Sequence, residues 1–112
     1  MNTTSAAAQE KFGPIRTGLL EFVVLKIVSA KKVYVADILK ELRDTEFTTQ
    51  EGTLYPLLSR LRRETMVDYE WKESEAGPPR KYYRLTAQGK DQLKELEEYW
   101  KKISATLDAL GK

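Results

Sequence analysis

Apolar residues in this chain recur at helical spacing in its first, middle and last parts, with two β-prone runs between. Residues 1 to 12 are small, polar and aperiodic and read as a flexible arm. Pro14 then stands where a helix tolerates proline, in its first turn. Ile15, Leu19, Leu20, Val23, Val24, Ile27 and Val28 follow at spacings of three and four, and Phe22 and Leu25 widen the stripe. A first helix covered on more than one side is expected. After Lys31-Lys32-Val33, the residues Val35, Ile38, Leu39 and Leu42 make one apolar face, predicting a second helix that ends near Arg43-Asp44. Leu54, Leu57, Leu58 and Leu61 repeat the pattern. Thr48-Thr49-Gln50-Glu51 ahead of them fits a capping box, with Thr48 as N-cap and Glu51 at N3. Pro56 lies inside this third helix, where its missing donor predicts a local distortion rather than a break.

Val67 to Lys72 and Lys81 to Leu85 are rich in Val, Tyr and Trp. The Ser74-to-Arg80 segment between them contains Gly77-Pro78-Pro79, so a hairpin with a long loop is expected. Thr86 is placed to cap a last helix. In it Leu93, Leu96, Trp100, Ile103, Leu107 and Leu110 are spaced 3, 4, 3, 4 and 3, a heptad seam with charged flanks. Such a seam suits pairing with a second copy. The fold class is therefore mostly α with a small β-hairpin, a winged helix-turn-helix over residues 13–86 followed by a dimerisation helix over 87–112.

Composition narrows the chemistry. The 112 residues contain no Cys and no His, which removes disulfides, thiolate or imidazole metal sites and the commonest general base. No metal-ligand spacing, phosphate loop or converging carboxylates appear, so neither a catalytic residue nor a cofactor is expected. No signal segment or membrane span is evident, and a cytoplasmic protein is the default. Net charge is only +2, so the distribution of charge matters more than the total. Three Arg against one Glu lie from Thr48 to Arg63, and Arg80, Lys81 and Arg84 lie in the second strand region.

In a winged helix-turn-helix the third helix enters the major groove and the hairpin touches the flanking backbone. Opposite the leucines, this helix presents Gly52, Pro56, Ser59 and Arg63, flanked by Thr49, Thr53 and Arg60. Small and polar residues near its start allow approach to base edges, and Arg near its end suits phosphate or guanine. Free amides at Thr48 to Gln50 suit a phosphate. The expected DNA-facing set is Thr48, Thr49, Gln50, Thr53, Tyr55, Ser59, Arg60, Arg63, Arg80 and Lys81. The alternative function is a winged helix used only to bind another protein, against which the cationic third helix argues.

Glu51-Gly52-Thr53-Leu54-Tyr55-Pro56, then Leu58 and Arg60-Leu61, with Gly77-Pro78-Pro79-Arg80-Lys81-Tyr82-Tyr83-Arg84-Leu85-Thr86 and Gly89, resemble the PadR family of winged-helix regulators. The resemblance spans roughly residues 15 to 110, and its short last helix is similar to the subfamily with a single C-terminal helix. It implies a homodimeric repressor of a double-stranded operator, with C-terminal helices crossing the partner's first helix. It also implies an aromatic effector site at a Trp of the last helix, here Trp100. Three positions depart from the family pattern, one being Val35, since Tyr34-Val35 stands where Tyr-Gly often opens the second helix. Thr65 stands where a glycine is usual, which is costly for a β-branched residue if φ there is positive, and Arg62 replaces a common Glu.

Overall fold

The computed structural model describes residues 11–75 and 77–112; the expected N-terminal arm lies, but for its last two residues, outside them. In chain order the elements are α1 (Gly13–Ala30), β1 (Val33–Tyr34), α2 (Val35–Leu42), α3 (Glu51–Arg63), β2 (Val67–Ser74), β3 (Gly77–Leu85) and α4 (Ala87–Ala109). Among the described residues, four helices thus accompany a small antiparallel sheet of order β1-β3-β2, which is the winged helix-turn-helix architecture.

Helix α1 begins as its sequence suggests, with Pro14 in the first turn, where the amide it lacks would have had no helical partner. Its buried residues are Val24, Leu25 and Val28. Ile15, the first member of the expected stripe, is exposed, and Leu19, Phe22 and Val23 are half-buried. The face that joins the core is therefore centred on Leu25, which periodicity alone placed at the margin. Helix α2 buries Val35, Ile38 and Leu42. The Asp37 carboxylate accepts from the Tyr34 amide at 2.9 Å, occupying one of the donors that a helix start leaves open.

Helix α3 buries Leu54, Leu58 and Leu61 completely and half-buries Leu57. It runs unbroken through Pro56. Both Pro56 and Gly52, whose carbonyl loses its helical donor to the proline, are exposed to water. The expected capping box does not form. The helix starts at Glu51 with Gln50 as N-cap and no side-chain cap. The Thr48 amide bonds the Thr45 carbonyl instead, within a turn that the Thr45 hydroxyl also closes by donating to the Leu42 carbonyl at 2.7 Å. The preceding turn thus consumes the Thr48 amide, and the helix start lies two residues on.

Helix α3 ends in a Schellman motif: the Met66 amide bonds the Leu61 carbonyl at 2.9 Å and the Thr65 amide bonds Arg62 at 3.0 Å. Thr65 is the left-handed residue this motif requires, at φ 64°. A threonine here keeps the motif at a conformational cost of roughly 1–2 kcal/mol.

The sheet exceeds the expected hairpin in two ways. A third strand, β1, pairs through Val33 opposite Tyr83 and Tyr34 opposite Tyr82, making β3 the central strand. The wing is also longer, since β2 runs to Ser74 and β3 begins at Gly77, through Pro78 and Pro79. The prolines are tolerated because β1 ends opposite Tyr82, so their side of β3 has no neighbour, and the register shifts between Lys72 and Ser74. Val33, Val67, Tyr83 and Leu85 bring the base of the sheet into the same core as α1, α2 and α3.

Thr86 caps α4 as expected, its hydroxyl accepting from the Gly89 amide at 3.0 Å. The Thr86 amide also bonds the Met66 carbonyl at 3.1 Å, which fastens the start of α4 to the start of β2. A radius of gyration of 15.9 Å exceeds the about 13 Å of a compact chain of this length.

Candidate nucleic-acid interface

Leucines inward leave α3 with an outward surface of Gly52, Thr53, Tyr55, Pro56, Ser59, Arg62 and Arg63, all exposed. Gln50 and Thr48 are exposed in the loop before it, and Thr49 is half-buried. Because Thr53 and Leu54 both donate to the Gln50 carbonyl, the first-turn amides without a helical partner belong to Glu51 and Gly52. The anion-accepting end of the helix lies there rather than at Thr48 to Gln50.

Charge on the wing sorts along its length. At the base, Asp68 and Glu70 face cations: Arg84 lies 3.7 Å from Asp68 and 3.8 Å from Glu70, Lys32 is 3.6 Å from Glu70, and Arg62 of α3 is 3.8 Å from Asp68. Towards the tip, cations rest on aromatic rings. Arg80 lies 4.4 Å from the Tyr34 ring centre, Lys72 5.0 Å from Tyr82, and Lys81 4.7 Å from Tyr69. A ring holds a cation in place without cancelling its charge, so Arg80, Lys72 and Lys81 keep theirs.

Between the wing and the start of α3 runs a groove of about 300 Å³, lined by Tyr34, Glu51, Tyr55, Trp71, Arg80 and Lys81 among others. Of the expected DNA-facing residues, the groove unites Tyr55, Arg80 and Lys81. Thr53, Ser59 and Arg63 stand on the exposed side of α3. Arg60 does not point outward. Its guanidinium donates to Glu21 of α1 at 2.8 Å and to Glu64 at 3.0 Å, and the Glu21 hydrogen bond above all raises its pKa further.

Tyr34 and Trp71 were not foreseen in this groove. Trp71 continues the inward alternation of Val67 and Tyr69, but the wing outruns the core, and Trp71 emerges 61% exposed. The signal was the length of the β-prone run, which exceeds what three short helices can cover. Tyr83 has the opposite fate: it is buried, and desolvation first, then the neighbouring Tyr69 and Tyr55, pushes its phenol above the ordinary value.

A separate apolar surface lies on α1 and α4. Leu93 is buried and Leu96 and Ile103 half-buried, while Trp100 is 44%, Leu107 66% and Leu110 67% exposed. The seam therefore packs on its own domain at one end and is uncovered at the other. Leu110 is the C-cap residue, just past the last turn. Trp100 lines a recess of about 280 Å³ with Leu19, Phe22, Val23, Lys26 and Phe47. A second recess of about 210 Å³ shares Leu19 and Phe47 and adds Phe12 and Ile15. Among the described residues no cluster of acids could hold a metal ion, and no helix is long and apolar enough to cross a membrane.

Solved structures with this fold are numerous. A PadR-like transcription factor from Bacteroides fragilis is 39% identical, with 91% of this chain and 99% of that one covered and a TM-score of 0.79. A PadR-like transcriptional regulator from Bacillus cereus is 37% identical over 87% of this chain and 95% of its own, at a TM-score of 0.78. A PadR family transcriptional regulator from Eggerthella lenta gives a TM-score of 0.83 at 30% identity, covering 93% of this chain and 91% of that one. An uncharacterized protein of Lysinibacillus sphaericus is 30% identical over 94 residues, 81% of this chain and 86% of its own length. The model of the transcriptional regulator PadR-like family matches residues 24–95, from the middle of α1 through the wing into α4. A DNA-binding fold, a cationic wing beside a polar helix face, and these relatives agree: the chain belongs to the PadR-like family of transcriptional regulators.

Proposed function

We propose that this protein is a cytoplasmic repressor that binds a pseudo-palindromic operator as a homodimer and is released by a small aromatic or phenolic effector. The observation that carries the reading is the pair of surfaces just described, which share no lining residue: a groove of aromatics and cations between α3 and the wing, and an uncovered apolar face on α1 and α4. Residues 13–86 form the DNA-binding unit and 87–112 the dimerising one.

Thr53, Tyr55 and Ser59 address base edges, Arg63, Arg80 and Lys81 the phosphates, and the loop Thr48, Thr49 and Gln50 the backbone beside the groove. The exposed Ile15, Trp100, Leu107 and Leu110 are the kind of contiguous apolar surface that a soluble chain covers with a partner. A second copy, bringing the same surface, closes the Trp100 recess on its open side. An aromatic ligand stacking there acts through its differential affinity for the DNA-competent and DNA-incompetent dimers.

Sedimentation of the protein and fluorescence anisotropy with the DNA upstream of its own gene test this together. A dimer at micromolar concentration and salt-sensitive binding to half-sites about one helical turn apart are expected. Arg80→Ala should weaken binding to every sequence and flatten the salt slope, whereas Thr53→Ala should change sequence preference. A monomer indifferent to that DNA at low salt refutes the proposal. For the effector, aromatic compounds are titrated against Trp fluorescence. A response that survives Trp100→Ala places the ligand elsewhere.

A further inference from the structure

The outward surface of α3 carries cations at Arg62 and Arg63, and by position on the helix Arg60 belongs with them. Its contacts set it apart. One guanidinium nitrogen donates to both oxygens of Glu64, at 3.0 and 3.2 Å, and another to Glu21 Oε1 at 2.8 Å. Two carboxylates around one cation leave a local net charge of −1, an environment that repels a phosphate. The Glu21 side chain is only 24% exposed, against 42% for Arg60, so this contact is the better shielded part of the network and is screened less by salt.

We propose that Arg60 is a positioning residue for DNA recognition: through Glu21 it fixes the rotation of α3 against α1 and touches no phosphate. This rests on the DNA-binding reading above. The link joins elements 39 residues apart in sequence and adds a directional contact to the packing of α3. Burial of Leu54, Leu58 and Leu61 fixes which face of α3 turns inward, and a two-sided guanidinium contact, with its directional hydrogen bonds, sharpens that setting. That rotation decides whether Thr53, Tyr55 and Ser59 meet base edges. Helix α1 also lines the Trp100 recess, so the same pair anchors the reading helix to the helix that borders the proposed effector site.

The two roles predict opposite signs for one conservative change. If Arg60 were a phosphate contact held back by Glu21, Glu21→Gln would free it and tighten binding. If Arg60 positions α3, Glu21→Gln weakens binding. The experiment is anisotropy of labelled operator and of a scrambled duplex across a potassium chloride series, with wild type, Glu21→Gln, Arg60→Gln and the double variant, each checked by thermal melting. Expected is a loss of operator affinity of roughly two- to thirtyfold for each single variant, the scale of such couplings. The scrambled duplex and the salt slope should stay unchanged, and the double variant should be no worse than either single. Tighter binding by Glu21→Gln, an unchanged operator affinity, or a slope reduced by about 0.9 in Arg60→Gln overturns the inference. Equal losses on operator and scrambled DNA overturn it too. Wild type that binds no upstream fragment removes the DNA-binding reading and this inference with it; wild type that binds, with Glu21→Gln tighter, removes the inference alone.

Discussion

Replacing Gly89 by alanine sets two effects of opposite sign against each other. Gly89 is the third residue of α4 and is buried. By helix propensity alone, alanine in place of glycine stabilises a helix by about 0.5–1 kcal/mol. The surroundings reverse this. A Cβ at Gly89 would lie 1.9 Å from the Met66 carbonyl oxygen, 2.9 Å from its carbon and 3.1 Å from Leu85 Cδ2, where real Cβ atoms essentially never come closer than 3.0 Å. The obstacle is backbone, so α4 and β2 must part by about 1 Å, the difference between 3.0 and 1.9. That carbonyl accepts from both the amide and the hydroxyl of Thr86, each at 3.1 Å, so parting also loosens the N-cap. Overpacking costs about 1–3 kcal/mol and a weakened cap about 1 kcal/mol; less the propensity gain, the variant should lose about 1–3 kcal/mol. Urea unfolding at matched protomer concentration, which matters for the proposed dimer, should show a lower midpoint with an unchanged slope. Gly52→Ala is the control, because its Cβ meets nothing within 4 Å, and it should be neutral or slightly stabilising. If Gly89→Ala proves as stable as wild type, the close approach of α4 to β2 is wrong.

Other consequences are open to direct measurement. Thr65→Gly relieves a left-handed threonine but loses the hydroxyl that bonds Gln88 and the Glu64 carbonyl; a gain of about 0.5–1 kcal/mol is expected, and a lower urea midpoint would mean that the hydroxyl outweighs the strain. Burial raises the Tyr83 pKa above 10.0, so its contribution to stability is fully present below about pH 10 and is lost as pH rises through the higher folded value. Stability should therefore fall less steeply with alkali in Tyr83→Phe than in wild type, and parallel curves would mean that the phenol reaches water. Trp71→Ala removes an exposed side chain and should leave the thermal midpoint nearly unchanged while weakening operator binding by about 1 kcal/mol, roughly fivefold; an unaltered affinity would place DNA away from the groove.

Reading the chain alone, periodicity located the four helices of the described residues, because each carries apolar residues at helical spacing. Thr86 was also legible, since capping is local chemistry between residues close in sequence, whereas Thr65 stood out only against the glycine usual in the resembled family. The losses were long-range. Val33-Tyr34 is too short for a strand signal and forms one because Tyr82 and Tyr83 offer a free edge. Thr48 carries a good cap signature, but the turn begun at Thr45 takes its amide first. Arg60 looks like its neighbours on a helical wheel, and only the arrival of Glu21 from α1 distinguishes it. The wing outgrew its expected loop because prolines are excluded from paired strands, whereas this stretch of β3 has a partner on one side alone.

That one-sided stretch has a consequence for how the protein can change. Near Tyr82, β3 is gripped by strands on both flanks, and β1 leads straight into α2, so the lower wing is tied directly to the helices. Beyond Tyr82, towards the tip, it pairs with β2 alone, as far as Ser74 opposite Gly77. Residues can be added or removed at that end without disturbing any helix. A longer ribbon would change how far the wing projects, while the helices below stay as they are.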